Sequence, residues 1–138
     1  MVFHSYFDGQ ADGRYPLAIE GGALLEEQLF LVLRAAALKP GERYSFPLFD
    51  SLVTNSAKQP MPAPVEAVLG GEETVATPAG SFPTRRIEVR GVRSPSAAAP
   101  LLTFWIENRG ARALVKFSAA DGRSLLLKEI SRRDYWSR

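Results

Sequence analysis

A chain of 138 residues, 46% hydrophobic and 23% charged, is long enough to bury one core and has the composition of a globular domain. It contains no cysteine, which excludes disulfides, thiol nucleophiles, iron–sulfur clusters and cysteine-held zinc together. Its net charge of +2 is small and scattered, which argues against a nucleic-acid surface.

From the start of the chain, Val2 to Ile19 reads as two short strands around the turn Asp8-Gly9-Gln10-Ala11-Asp12-Gly13. The Asp-Gly pairs suit a turn because glycine tolerates positive φ and aspartate bonds its own backbone. Asp8, Gln10, Asp12 and Gly13 imitate the opening of a calcium loop. The closing bidentate glutamate is missing, however: position 19 is Ile19, and Glu20 comes one residue late. A structural turn is the expectation. His4 is the single histidine, with Ser5 and Asp8 near it in sequence. No nucleophile-elbow context surrounds them, and one imidazole is too few for a histidine-based zinc site. No metal, cofactor or catalytic residue is expected. Met1 to Gly13 lacks the basic and apolar regions of a signal peptide, so either the chain is cytosolic or its true beginning is absent.

A helix is predicted from Ala23 to Ala37. Glu26 and Glu27 lie in its first turns and Arg34 toward its end, as the macrodipole favours. Leu24, Leu25, Leu29, Phe30, Leu31, Val32 and Leu33 cover nearly its whole circumference, which predicts burial on more than one side, inside the curve of a sheet. The run Ala23–Leu38 is too polar and too short for the roughly 20 residues of a membrane span. Pro40-Gly41 ends the helix.

Tyr44 to Leu48 reads as a short strand, and Asp50 to Pro64, with Pro60, Pro62 and Pro64, as a crossing loop that re-enters the sheet at Val65. Then comes a meander. Glu72–Thr77 and Phe82–Val89 flank the turn Pro78-Ala79-Gly80, followed by Leu102–Glu107, Ala113–Phe117 and Ser124–Ile130. Ile87 and Val89 alternate with Arg86, Glu88 and Arg90. Phe104 and Ile106 share one face, and Thr103, Trp105 and Glu107 the other. Leu125, Leu127 and Glu129 oppose Leu126, Lys128 and Ile130. One face is continuously apolar and the other mixed. The expected fold is α+β, mainly β: one domain, 1–138, in which a curved antiparallel sheet forms a half-barrel wrapped around one main buried helix.

The remaining clusters have structural explanations. Glu26-Glu27 and Glu72-Glu73 are adjacent and so diverge, unlike the convergent acids of a glycosidase. Gly70-Gly71 lacks the lysine of a phosphate loop. Arg132, Arg133, Tyr135, Trp136 and Arg138 read as aromatic packing at the barrel end beside wet arginines.

The segments 7–15, 24–31, 40–49, 71–82, 103–107 and 114–117, above all the Val-x-Thr-Pro-Ala-Gly-x-Phe hairpin, resemble the DUF3108-type bacterial family, whose members are similar in shape to the lipoprotein-localisation factors LolA and LolB. The resemblance implies a half-closed sheet around a helix, a periplasmic or cell-envelope location, and a chain corresponding to the C-terminal part of a longer architecture. It brings no catalytic residues.

Two non-enzymatic readings follow. In the first, the half-barrel holds a hydrophobic ligand, lipid or lipoprotein, with Leu29, Phe30, Leu33, Phe104, Trp105 and Phe117 as its walls. In the second, the chain is a structural or protein-interaction module that recruits a partner at an exposed sheet edge, as a monomer or an edge-paired homodimer.

Overall fold

The Pro78-Ala79 reversal organises the molecule. Thr77 Oγ1 accepts from Ala79 N at 3.1 Å and donates to Gly80 O at 3.0 Å, while Gly80 takes φ +126°. A side chain thus completes a turn that only glycine can close without strain. In the computed structural model, residues 2–4 and 14–16 are described by their backbone, and 22–36, 38–49, 62–93, 95 and 98–131 in full. The chain runs β1 (Val2–His4), β2 (Arg14–Pro16), β3 (Leu24–Leu25), α1 (Glu26–Ala35), β4 (Arg43–Phe49), β5 (Ala63–Thr77), β6 (Gly80–Gly91), β7 (Leu102–Glu107), β8 (Leu114–Ala119) and β9 (Ser124–Leu126).

β1 and β2 form a two-stranded antiparallel ladder, as expected of that segment. β3 to β9 form a seven-stranded sheet in sequence order, antiparallel except where β3 runs parallel to β4. The sheet curls into a half-barrel, and β5 approaches β8 across the concave side although two strands separate them in the ladder. The fold is α+β, mainly β.

The alternation expected in the meander is present. Leu69, Ile87, Phe104 and Phe117 are register partners across four strands, and the last three are buried. Val65, Ala67, Val89, Leu102 and Ile106 continue that apolar face. Arg86, Trp105, Lys116 and Leu126 form the corresponding row on the opposite face.

Several boundaries differ from the sequence expectation for physical reasons. Val65 and Glu72–Thr77 belong to one 15-residue strand, β5. It continues through the glycine pair because Gly70 and Gly71 form a bulge: the register slips between Leu69 and Gly71, and Gly71 takes φ +135°. A Cβ on Gly70 would lie 2.7 Å from Glu88 Oε1, so the bulge brings backbone against a side chain. Leu24 and Leu25, predicted helical, are extended and pair with Leu48 and Phe49. The helix then starts at Glu26, with Gln28 Oε1 accepting from Leu25 N at 3.2 Å. β9 is shorter than predicted. Leu127 N still donates to Val115 O at 2.9 Å, but beyond it β8 offers no further partner.

Helix α1 uses less of its apolar circumference than its sequence predicts. Leu29 and Leu33, one turn apart, are fully buried against the concave sheet, and Phe30 packs beside them. Leu31 is 61% exposed. The helix therefore buries one stripe, where the sequence predicts burial on more than one side. Its C-terminal carbonyls are satisfied from the sheet. Arg85, on the concave face of β6, donates from Nη2 to Ala36 O at 2.8 Å, Leu33 O at 3.3 Å and Arg34 O at 3.4 Å.

Candidate functional site

The six residues predicted to wall a ligand space divide between two faces. Leu29, Leu33, Phe104 and Phe117 meet in one core, with the two phenyl rings 5.0 Å apart between centroids. Phe30 packs at its margin. Trp105 is elsewhere. Strand alternation turns it to the outer face, where Nε1 donates to Glu73 Oε1 at 2.8 Å and Lys116 Nζ sits 4.4 Å from the ring centroid. Trp105 is thus not a wall of the concave interior. Its neighbour Phe104 is 3% exposed on the inner side, and both facts follow from the two-residue period of a strand.

Among the clefts that open between described residues, the following three are lined by none of those six. The first, of about 310 Å³, lies on the outer face among Arg43, Glu66, Val68 and Arg90. The second, of about 420 Å³, lies beside the helix C-terminus between Val32, Leu38 and Tyr44. The third, of about 240 Å³, opens at the end of the half-barrel where α1 begins, and its walls include Leu48, Val65, Leu101, Leu102 and Ala119. It is the most apolar of the three, and its rim carries Glu26, Asp121 and Arg123.

That rim is a preorganised ion cluster. Arg123 donates to Glu26 Oε1 at 2.6 Å and Oε2 at 3.2 Å, and its Nε donates to Asp121 Oδ2 at 2.6 Å. The Asp121-Gly122 turn makes this possible: Gly122 takes φ +92°, and Asp121 Oδ1 accepts from Arg123 N at 3.0 Å. The backbone N–H of Arg123, and then its guanidinium, hold the Asp121 carboxyl below its usual range. The bonds to Glu26 and Asp121 raise the Arg123 pKa against a smaller opposing effect of burial. Because Arg123 ties the first residue of α1 to the β8–β9 turn, Arg123→Met should destabilise the fold by about 1–2 kcal/mol in urea unfolding. A change below about 0.3 kcal/mol would show that the cluster is only decorative.

On the outer face, acids and arginines are interleaved. Arg43 meets Glu66 at 2.6 Å, Arg90 meets Glu88 at 2.6 Å, and Arg86 meets Glu73 at 3.2 Å. Arg86 Nε is also 3.1 Å from Glu88 Oε1, but off the axis of a hydrogen bond, so that contact is ionic only. Arg90 additionally holds the carbonyl of Ala98 in the loop before β7. Charges paired in this way position strands and leave no unopposed basic stripe in this belt. Among the described residues, no group of three or more His, Asp or Glu side chains is placed to hold a metal, and no helix is long and apolar enough to cross a membrane. His4 lies in β1 opposite Arg14. The turn 8–13 and the cluster 132–138 lie outside the described residues, as does most of the 50–64 loop.

The feature that sequence reasoning underweighted is the β9 edge. Leu125 is 62% exposed and Leu126 51%, so apolar surface stands on both faces of β9, and Ile130 beyond its end is 55% exposed. Leu125 follows the buried Phe117 on the concave side, and Leu126 follows Lys116 on the convex side. The signal was present in the run Leu125-Leu126-Leu127, which breaks the apolar–polar alternation of a one-sided strand. Its backbone is equally open. Ala119 N donates to Arg123 O and Leu127 N to Val115 O, both at 2.9 Å, so the odd-numbered residues turn their main chain toward β8. Ser124 and Leu126 therefore present theirs to the outside. Among the described residues, no other strand pairs with that side.

Comparison of this chain with protein-family models, with curated proteins and with solved structures finds no match.

Proposed function

We propose that this protein is a non-enzymatic interaction module, a half-barrel whose concave side is filled by α1 and whose β9 edge takes up an extended polypeptide by strand addition. The observation that carries the reading is the combination, on one strand, of an outward-facing main chain with Leu125 and Leu126 exposed on opposite faces. Open apolar edges are ordinarily blunted by charge, proline or a covering element, because they recruit strands. Main-chain hydrogen bonds would supply most of the affinity, and pockets beside alternate side chains the selectivity. The packing of Leu29, Leu33, Phe104 and Phe117 supports a role at the edge over one in the interior. The resemblance to the DUF3108-type family is in keeping with a binding role in the cell envelope.

The test uses a labelled peptide with the sequence of residues 124–131, at protein concentrations below about 1 μM. Binding by fluorescence anisotropy, with slowed hydrogen exchange at the Leu126 and Lys128 amides, is the expected result. The same peptide with proline in place of its second leucine should lose that affinity, because proline removes a ladder donor. Unchanged exchange at those amides with unlabelled peptide up to about 1 mM would sink the reading.

A second reading is favoured by the cleft of about 240 Å³, whose apolar walls and charged rim suit the tail of a small amphiphile. It is smaller than the roughly 300–1,000 Å³ of most ligand sites, so a short chain fits it better than a whole lipid. Organic extraction and native mass spectrometry of the purified protein would reveal such a ligand, and Leu102→Trp should displace it.

A further inference from the structure

We propose that the partner at the β9 edge is a second copy of this chain, paired antiparallel about a two-fold axis that passes through Leu126. The proposal rests on the strand-addition reading and names its occupant. A continuous sheet requires that residues directly opposite each other share a face, so a two-fold axis must fall on a residue and not between two. The sequence of the edge then selects among the available centres.

Centred on Leu126, the strand matches leucine to leucine on both of its faces. Leu126 lies opposite the partner's Leu126, Leu125 opposite the partner's Leu127, Ser124 opposite the partner's Lys128, and Arg123 opposite the partner's Glu129. Apolar side chains meet apolar ones on both faces, and each such pairing off the axis occurs twice by symmetry. Centred on Leu127, Leu125 would face the partner's Glu129; centred on Lys128, two ammonium groups would face each other. The backbone agrees with the first register. Ser124 and Leu126 turn their N–H and C=O groups outward, so 126–126 would be a hydrogen-bonded pair, and with Lys128 drawn into the ladder opposite Ser124 about six main-chain bonds would cross the axis. The exposed Leu125 and Leu126 would be covered together, one on each side of a fourteen-stranded sheet formed from two seven-stranded ones. A foreign strand could satisfy the main chain, but this strand reversed on itself also places a leucine against each exposed leucine of the edge.

The absence of native cysteine makes the test direct, since any disulfide in a single-cysteine variant is intermolecular. Opposed residues of a hydrogen-bonded antiparallel pair have Cα atoms about 5.5 Å apart, within the span of a disulfide. Leu126→Cys should therefore give a covalent dimer under mild oxidation. In Lys128→Cys the two thiols would be offset by four residues, about 13 Å along the strands, and should stay unlinked. Sedimentation of the wild-type chain at about 100 μM should show the mass of two copies. Leu126→Pro, whose N–H does not serve the β8 ladder, should be monomeric with nearly unchanged melting. A wild-type chain that remains monomeric overturns the second-copy proposal. Equal cross-linking of both cysteine variants overturns its register, and a dimer that survives Leu126→Pro places the contact elsewhere. Peptide binding separates the two levels: a monomeric chain that still binds the 124–131 peptide keeps strand addition and loses only the second copy.

Discussion

Phe104→Ala is expected to lower the free energy of unfolding by about 4 kcal/mol, and Trp105→Ala, one residue later, by only about 1 kcal/mol. The two aromatic rings differ in face, not in size. Phe104 is 3% exposed, stands between Ile87 and Phe117 in the cross-strand row, and packs tilted against Phe117 at 5.0 Å. Truncating it leaves a cavity that four strands and a helix cannot close by moving a single side chain. Trp105 lies on the outer face, where Lys116 and Glu73 contact it and water reaches it; losing it removes a cation–π contact and one hydrogen bond. Urea denaturation of both variants checks the difference. Equal losses would mean that the strand is turned the other way, with Trp105 inside after all.

Arg85→Met should cost about 2–3 kcal/mol and weaken protection of the last turn of α1 in hydrogen exchange. Most arginines of this sheet are paired with acids on the outer face, but Arg85 points inward and serves three carbonyls at the end of the helix. Those carbonyls lie at the negative end of the helix dipole and have no partner within the helix, so a guanidinium there satisfies both hydrogen bonding and charge. Burial first, and then the nearby Arg112 charge, draw its pKa down from the ordinary value, while Glu72 opposes them; arginine nonetheless stays cationic. Methionine keeps the apolar stem and removes the donors, so the variant isolates the carbonyl clamp. Arg85→Lys should recover only part of the loss, because one ammonium cannot span three acceptors in the plane that a guanidinium does. Unchanged exchange at Leu33 to Ala36 in Arg85→Met would show that the helix end holds without it.

Much of the architecture is legible in the sequence because strand pattern and turn chemistry are local. The limits of β7 follow from the alternation Leu102-Phe104-Ile106, and the β5–β6 turn follows from Pro78-Ala79-Gly80. Arg86, Glu88 and Arg90 read as an outer face and are one. The candidate site was legible only in part. Phe104 and Phe117 share a core as expected, but strand parity carries Trp105, expected beside them, to the outer face with Glu73 and Lys116.

What the sequence determined by itself is the meander from Phe82 onward, the faces of its strands and the absence of cysteine chemistry, since each depends on neighbours within a few residues. Only the tertiary structure decided the rest. Whether Leu31 is buried depends on how many layers enclose the helix, and here one sheet covers one stripe, leaving it exposed. Whether Gly70-Gly71 breaks a strand or bulges it depends on Glu88 and Arg86 opposite. Arg123 reaches Glu26 across 97 residues and Arg85 reaches Ala36 across 49, contacts that no local periodicity encodes. The open side of β9 is likewise a property of the sheet order: a strand's pattern tells which face is apolar, but only its place at the end of the ladder leaves its main chain without a partner there.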